Sequence, residues 1–420
     1  MPLKKAPEPK GYELYGPEPT LPDFPHSEWA ARLDKVQRLM REGAIDLLML
    51  WSEPNVRYFT GFTSMHWRLP SMQPLVALIP AVGAPLVIAP QLFRWTVEAQ
   101  SWVRDIRCQG GDIDEHDEQV VRDLPREVAA TVREMGHGKA CIALEKGPEG
   151  GMYIPRPLND IQMLMEELPE ARFVDGARVI WRCRQIKSPL EIERLTKAAD
   201  IHAQAVSDVV EQYRPGMTEV DVGKIFICSA YQNGAETVLT GSIRCGSQKE
   251  GVFDVKHAFD GLAIDRGYQL GLDLGVCYKG YWADICRVLS VGPMTEKFRE
   301  YSEQLIRAFD AMTGAVKPGM TVGELHRIVY EAGGVDAPGE MLGHGIGLDM
   351  HEPPVIMAHS DVVLEPGMTF SVEPMIFRGL RCQGGEGIFH IEDMIVITEA
   401  GFVPVHGFSR DVLQVAHPFQ

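Results

Sequence analysis

Apolar positions in the first half of the chain switch between helical and strand spacing. Continuous apolar runs lie at 47–51, 75–79, 85–89 and 140–144. Helical spacing begins at Ser27, and a second helical stretch covers roughly 117–135. Short apolar runs separated by helical stretches predict strands that alternate with helices. We therefore expect an α/β first domain.

A strong helix start marks the boundary between two domains. Ser188-Pro189-Leu190-Glu191 combines a capping serine, a proline at the first helical position and a glutamate at the third. At 420 residues the chain is long enough for two cores, and we expect domains over 26–185 and 186–420. Residues 1–25 contain seven prolines and predict an extended arm, or alternatively a poorly ordered tail.

The second half contains a weak internal repeat. Arg214-Pro-Gly-Met-Thr218 follows one long helical pattern, and Lys317-Pro-Gly-Met-Thr321 follows another near 295–315. In both copies an acidic residue, Asp221 or Glu324, stands three positions after the threonine and predicts a helix start. The repeat therefore predicts a duplicated α/β half.

Composition narrows the class of protein. No apolar run approaches the roughly 18 residues of a membrane span, and the amino terminus has no apolar signal stretch. The net charge of −17 disfavours nucleic acid as a partner. Eight cysteines without a Cys-x-x-Cys pair are typical of reduced thiols in the cytoplasm. We expect a cytoplasmic enzyme with no membrane or nucleic-acid partner.

Four carboxylates interrupt or end apolar runs in the second half, namely Asp273, Asp284, Glu373 and Glu392. Gly275–Gly280 predicts a hairpin turn between the first two, so that adjacent strands aim both carboxylates at one point. Burying two carboxylates side by side is costly unless a cation compensates. The alternative is that each aspartate caps a turn or pairs with an arginine such as Arg287.

A histidine completes a set of metal-binding side chains. His344 lies between glycines that permit close approach of the backbone to a bound group, although a lone histidine in such a loop is more often structural than a ligand. Carboxylates with one imidazole suit divalent Mn, Co, Fe or Zn, and bridging carboxylates accommodate two ions. Asp273, Asp284, His344, Glu373 and Glu392 are therefore candidate ligands for two divalent metal ions.

The order of these residues resembles that of a known family. The segments DLGVCYKGYWAD, GHGIGLDMHEPP, EPGMTFSVEPMI and IEDMIVITEAG are similar to those of the pita-bread metallopeptidases. NVRYFTGF (55–62) and RQIKSPLEIE (184–193) resemble signatures of the prolidase, aminopeptidase P and creatinase branch. The resemblance spans nearly the whole chain. It implies an α/β (α+β) protein with a pita-bread catalytic domain after a smaller α/β amino-terminal domain, and a homodimer.

The resemblance also implies roles in catalysis. His257 is similar to the family histidine that contacts the tetrahedral intermediate, and His351 resembles the second catalytic histidine. In this family two ions lower the pKa of a bridging water, which loses a proton and becomes hydroxide. Glu373 can relay the proton that the water loses, and the histidines can stabilise the oxyanion. The expected reaction is hydrolysis of an amide bond in a Xaa-Pro-type peptide or a small related substrate.

One position departs from the family pattern and leaves the substrate open. Peptidases of this branch usually carry an arginine two residues before the last glutamate, where this chain has His390, which lacks a bidentate fork. Arg378 or Arg381 is a candidate replacement for binding a substrate carboxylate. The main alternative is a hydrolase of a small nonpeptide nitrogen compound, ectoine hydrolase-like or creatinase-like. Less favoured alternatives are a dimethylsulfoniopropionate lyase-like enzyme and a non-catalytic binding module.

Three polar and aromatic residues follow the NVRYFTG signature directly, namely His66, Trp67 and Arg68. Because a partner subunit often closes the site in this family, the resemblance implies that they reach a substrate across a dimer. The alternative is ordinary packing of Trp67 with solvated charges on either side.

Overall fold

The chain forms two compact units, Met1–Arg184 and Gln185–Gln420, in a computed structural model. The structure describes residues 19–68, 75–109, 118–147, 152, 154–248, 251–252, 261, 263–333, 341–377 and 388–415. Within these ranges no helix is long and apolar enough to cross a membrane. The cysteines described there are free thiols.

The amino-terminal unit is built on one mixed sheet. Its strands are β1 Leu47–Leu50, β2 Val76–Pro80, β3 Leu86–Pro90, β4 Asp105–Gln109, β5 Cys141–Leu144 and β6 Arg172–Asp175. They run in the order β4-β3-β2-β1-β5-β6, with β1 antiparallel to β2 and parallel to β5. Each apolar run of the sequence predicted its strand to within one residue, because the central strands are buried along their whole length.

Helices accompany this sheet, with bounds α1 His26–Glu42, α2 Glu53–Thr60, α3 Arg94–Gln100, α4 Glu118–Glu134, α5 Leu158–Glu167 and α6 Ala177–Arg184. The start of α2 is held by Glu145, which follows β5 and is fully buried. Its carboxylate accepts hydrogen bonds from the backbone nitrogen of Trp51 (2.6 Å) and the amide of Asn55 (2.6 Å). This acid therefore supplies acceptors at a helix amino terminus, where backbone donors are unpaired.

The predicted amino-terminal arm is described only in part, because residues 1–18 lie outside the described residues. Beyond them the backbone nitrogen of Leu21 donates to the carbonyl of Ala99 at 2.8 Å. Phe24 packs edge-on against Trp29, with 5.6 Å between ring centroids. The described end of the arm is thus fixed to the first unit.

Two five-stranded sheets form the carboxy-terminal unit. The first contains β7 Thr237–Ser247, β8 Gly251–Val252, β9 Tyr268–Tyr278, β10 Tyr281–Val291 and β18 Leu413–Val415, in the order β18-β10-β9-β7-β8. The second contains β11 Gly343–Gly345, β12 Glu352–Val355, β13 Thr369–Val372, β16 Asp393–Thr398 and β17 Gly401–Pro404, in the order β12-β11-β13-β16-β17. A separate hairpin pairs β14 Met375–Phe377 with β15 Ile388–His390.

A pair of helices accompanies each of these sheets. The bounds are α7 Pro189–Gln212, α8 Glu219–Gln232, α9 Glu296–Met312 and α10 Val322–Gly333. The predicted capping boxes are present at Ser188, Thr218 and Thr321, each with its acidic partner three residues later. Each pair shares one hydrophobic core with its sheet, so the unit consists of two similar halves, as the repeat predicts.

The β9–β10 hairpin differs in one detail from the expectation. Its turn is only Lys279-Gly280, where both residues have positive φ (46° and 82°), as a two-residue turn between twisted strands requires. Gly275 lies inside β9 instead. A Cβ atom at Gly275 would stand 2.6 Å from the sulfur of Met350, so glycine there allows the loop before His351 to pack against the strand.

Candidate metal centre

Strand register places the two predicted aspartates on one face of the first sheet. Asp273 of β9 pairs with Cys286 of β10, and Asp284 pairs with Gly275. Because residues two apart in a strand share a face, the two aspartates are diagonal neighbours. Cys286 also forms an isolated bridge to Glu392. Glu392, expected in the middle of a strand, lies instead in the short break between β15 and β16.

The second sheet contributes His344 and Glu373. His344 was expected in a loop, but it lies in β11, where it pairs with Ser371 of β13. Glu373 follows the last residue of β13, as predicted. The Nε2 atom of His344 is 3.7 Å from Oδ2 of Asp284 and 3.6 Å from Oε1 of Glu373. Both sheets therefore deliver side chains to one place.

The imidazole of His344 has a defined tautomer. Its Nδ1 lies 2.9 Å from the carbonyl oxygen of Gly345, and since a carbonyl only accepts, Nδ1 carries the proton. Burial is the main cause that lowers the pKa of His344, to about 4, so Nε2 has a free lone pair. Among the described residues this buried Nε2 has no hydrogen-bond partner. A lone pair aimed between two carboxylates is the arrangement of a metal ligand.

The carboxylates themselves repel one another. Burial, followed by the charges of Asp284 and Asp273, raises the pKa of Glu373 to about 8. Burial and neighbouring acids also raise the pKa of Asp284 and of Glu392. One hydrogen bond, from the hydroxyl of Ser371 to Glu392 at 2.7 Å, offsets part of this cost. Among the described residues these carboxylates outnumber the positive charge that Arg244 brings to Asp273, and a divalent cation would balance the rest.

The donor atoms fit divalent cations. Three groups have donor atoms within 4.8 Å of one another: Asp284, His344 and His351; His344, Glu373 and Glu392; Asp273, His390 and Glu392. Carboxylates with imidazole are a ligand set for first-row transition metals. The orphaned imidazole nitrogen and the raised carboxyl pKa values both point to the same missing positive charge. The residues present therefore fit the predicted metal site.

His351 lies at the accessible side of this cluster. Its side chain is 64% exposed, and its Nε2 is 3.5 Å from Oδ2 of Asp284. The hydrogen bond to Asp284 is the main cause that raises the pKa of His351. The next residue, Glu352, forms a buried ion pair with Lys187 at 2.9 Å, which fixes the loop. The position of His351 suits a group that meets a substrate.

Sequence reasoning missed Arg244, which β7 brings into the cluster. One terminal nitrogen of its guanidinium donates to Oδ2 of Asp273 at 2.7 Å, and the other contacts Nδ1 of His390 at 2.5 Å. Pairing of an aspartate with an arginine is thus correct for Asp273, but Arg287 is not the partner; it lies 3.5 Å from Asp393. The one available signal was a basic residue within an otherwise uncharged strand.

His390 is 3% exposed and lies between Arg244 and Glu373. Burial, followed by the charge of Arg244, lowers the pKa of His390 to about 3. Its Nε2 is 3.6 Å from Oε2 of Glu373. The residue that replaces the usual arginine is therefore a neutral, buried histidine within the cluster.

The remaining predicted residues are either outside the described residues or in the amino-terminal unit. His257, Arg378 and Arg381 lie outside the described residues. His66, Trp67 and Arg68 form a short 3-10 turn in the amino-terminal unit, where Trp67 donates to the carbonyl of Trp51 at 3.3 Å and packs on Phe62. These contacts match ordinary packing of Trp67, and a role in substrate binding stays a prediction.

Known proteins resemble the chain over almost its full length. Residues 193–399 match the model of metallopeptidase family M24, and residues 32–186 match that of the creatinase/prolidase N-terminal domain. A Xaa-Pro dipeptidase of Lactobacillus delbrueckii subsp. lactis is 30% identical over 90% of this chain and 98% of its own. A Xaa-Pro dipeptidase of Pyrococcus furiosus is 35% identical over 56% of this chain and 67% of its own.

The fold is also found among solved structures. A Xaa-Pro dipeptidase from Bacillus anthracis superposes with a TM-score of 0.76, covering 92% of this chain and 100% of that one at 24% identity. This likeness concerns the fold, and it confirms the pita-bread architecture that the sequence predicts after a smaller amino-terminal domain. The family matches and the relatives named Xaa-Pro dipeptidase confirm the expected metallohydrolase class. The chain belongs to metallopeptidase family M24 and carries a creatinase/prolidase N-terminal domain.

Proposed function

We propose that the protein is a dinuclear-metal hydrolase that cleaves the amide bond of Xaa-Pro-type peptides. The observation that carries this proposal is the buried cluster in which His344 directs its Nε2, unpartnered among the described residues, between Asp284 and Glu373. The relatives named Xaa-Pro dipeptidase support the substrate class.

The ligands in this proposal are Asp273, Asp284, His344, Glu373 and Glu392. Donor atoms of Glu392 lie near those of His344 and Glu373 in one group and near that of Asp273 in another, and together these residues would hold two divalent cations. Manganese is the proposed native metal, ahead of cobalt, zinc and iron, because mixed carboxylate and imidazole donors accept all four.

Bound divalent cations supply a water of lowered pKa and polarise a carbonyl. Around them the chain provides proton transfer and charge stabilisation. Glu373 accepts the proton of the attacking water and returns it to the leaving amine nitrogen, as the C–O bond forms and the C–N bond breaks. His351, exposed and beside Asp284, donates a hydrogen bond to the oxyanion. His257 has the second histidine role on the resemblance alone.

A second function is favoured by one observation, the histidine at position 390. It leaves open hydrolysis of a small nonpeptide nitrogen compound such as ectoine or creatine. Arg244 places a guanidinium beside Asp273, so the cluster has one although position 390 is a histidine. This contact favours the first function over the second.

The proposal is tested by assaying chelator-stripped and Mn²⁺-loaded protein on Ala-Pro and Leu-Pro, with Ala-Ala as a matched control, beside ectoine and creatine. We expect turnover of the proline dipeptides that is lost on stripping and regained with Mn²⁺. Turnover of ectoine or creatine alone would select the second function. Undiminished turnover of the proline dipeptides in the stripped protein would contradict the metal-dependent proposal.

We further propose that residues 186–420 form the catalytic domain after a domain over 26–185, and that the active form is a cytoplasmic homodimer acting on short peptides. The free thiols of the described residues support the location. In a dimer, His66, Trp67 and Arg68 would reach the substrate. Light scattering of purified protein measures the mass, and a monomer at the mass of one 46.8 kDa chain would contradict the dimer.

A further inference from the structure

We propose that Arg244 is a positioning residue of the metal centre, whose guanidinium reaches from β7 to Asp273 and His390. The inference rests on the proposed metal-dependent function. It assigns His390 a role in supporting the metal ligands and not in binding the metal, although a ring nitrogen of His390 lies within 4.8 Å of donor atoms of Asp273 and Glu392.

Strand register explains how Arg244 reaches the centre. On β7, Ser242 pairs with Asp273 and Arg244 pairs with Gly271, so Arg244 and Asp273 are diagonal neighbours on one face of the sheet. A Cβ atom on Gly271 would lie 3.5 Å from Cβ of Arg244, so the stem of the arginine lies directly over this glycine. Long side chains bridge such diagonal positions.

The guanidinium spans two partners at once. One terminal nitrogen donates to Oδ2 of Asp273 at 2.7 Å, and the other lies 2.5 Å from Nδ1 of His390. Because arginine has donors and no acceptor, Nδ1 of His390 accepts this hydrogen bond. A lysine ammonium is a single point charge and lacks the planar fork that matches two separated acceptors. The pairing is therefore specific to arginine.

The tautomer of His390 follows from this contact. With Nδ1 accepting, the proton of the neutral ring is on Nε2, which is 3.6 Å from Oε2 of Glu373. A protonated ring nitrogen cannot bind a cation, so His390 presents an N–H group toward Glu373. Arg244 thereby orients Asp273 through a direct hydrogen bond, and it orients the N–H group of His390 toward Glu373.

The experiment compares binding of Mn²⁺ to chelator-stripped variants by titration calorimetry. Arg244→Met removes the fork, Arg244→Lys keeps the charge, and Arg266→Met removes the same charge from an exposed position as a matched control. Loss of a residue that hydrogen-bonds to a metal ligand typically weakens metal binding by about 10–100-fold. We expect a loss in this range for Arg244→Met, a smaller loss for Arg244→Lys and no loss for Arg266→Met.

Two further variants separate positioning from ligation and from simple damage. Arg244→Ser/His390→Arg moves the guanidinium to β15, and we expect it to bind Mn²⁺ more tightly than Arg244→Ser alone. His390→Ala should bind as many ions per chain as the wild type, with lower affinity. Melting temperatures of the stripped proteins identify variants that fail to fold, and the exchanged pair then carries the test.

Wild-type affinity in Arg244→Met, or an exchanged pair no better than Arg244→Ser, would overturn the positioning role. Loss of one ion in His390→Ala would overturn the assignment of the histidine behind the ligands. If the wild-type protein itself binds no Mn²⁺, the proposed metal-dependent function fails first, and that result is distinguishable from failure of the Arg244 inference.

Discussion

Glu392 and Asp393 are adjacent, each only 1% exposed, and they lie in opposite electrostatic environments. Asp393 is surrounded by the imidazole of His406 at 2.8 Å and by the guanidinium groups of Arg410 at 2.5 Å and Arg287 at 3.5 Å. Despite burial, the hydrogen bond from His406 and these charges lower the pKa of Asp393. For Glu392, burial and other carboxylates raise the pKa well above its usual value.

The difference shows that burial of an acid does not by itself indicate function. Glu145 of the amino-terminal unit is also fully buried and has a raised pKa, but backbone and side-chain donors surround its carboxylate. Asp393 is satisfied by cations and Glu145 by hydrogen bonds. Among the described residues, Glu392 has carboxylates around it, whose repulsion a divalent cation would relieve. What surrounds the acid separates a structural carboxylate from a metal ligand.

The largest expected effect follows Glu392→Gln, which removes the carboxylate common to two donor groups. Loss of a residue that only hydrogen-bonds to a ligand weakens metal binding by about 10–100-fold. Because Glu392 is itself a proposed ligand, we expect Mn²⁺ affinity and kcat/KM on a proline dipeptide to fall by more than about 100-fold. The metal-free variant should be more stable than the metal-free wild type, because one repelling charge is gone. Retained affinity would show that Glu392 is not a ligand.

Asp393→Asn should have the opposite effect on the stability of the metal-free protein. It leaves Arg287, which is fully buried, without its carboxylate, and breaking a buried ion pair typically costs about 3–5 kcal/mol. Urea denaturation of the stripped variant measures this loss. Unchanged stability, or a gain like that expected for Glu392→Gln, would contradict the difference between the environments of Asp393 and Glu392.

The pH dependence of the metal-free protein provides a third test. The folded-state pKa of Glu373 is about 8, above that of an unfolded glutamate, so the unfolded state loses its proton first. The stability contributed by protonated Glu373 is present at low pH and is lost between about pH 4.5 and 8, a change on the order of 5 kcal/mol. Melting temperatures of stripped protein should fall over this interval, while Mn²⁺ should suppress the fall. A melting temperature of stripped protein independent of pH would contradict the repulsion.

The smallest effect is expected for Glu145→Gln. The amide would turn a donor toward the backbone nitrogens of Trp51 and Ser52, which now donate to the carboxylate, and a mismatched buried group costs about 1–3 kcal/mol. We expect lower stability and unchanged Mn²⁺ affinity. Altered Mn²⁺ affinity would mean that this acid is not purely structural.

Much of the fold was predictable because its signals are local. The strands of the first unit are continuous apolar runs, and the capping boxes at Ser188, Thr218 and Thr321 are fixed by residues three apart. His344 was predicted in a loop because its glycines are typical of turns. At Gly343, with φ of 141°, a Cβ atom would lie 2.1 Å from the carbonyl oxygen of Ser371, so the glycine serves close strand pairing.

Arg244 was not predictable because its partners are distant in the sequence. Asp273 is 29 residues away and His390 is 146 away. The face that Arg244 occupies also depends on an irregular register in β7 between Leu239 and Ser242, and such a shift changes which side chains share a face. The five proposed ligands, in contrast, were recognisable from type and order alone.

The central claim is that the carboxylate cluster of the carboxy-terminal unit holds two divalent cations. Its most direct test is a crystal structure of Mn²⁺-loaded protein with anomalous scattering recorded at the manganese edge. The account predicts two anomalous peaks per chain among Asp273, Asp284, His344, Glu373 and Glu392, with His390 contacting neither. No peak there, a single peak, or a peak on His390 would contradict it.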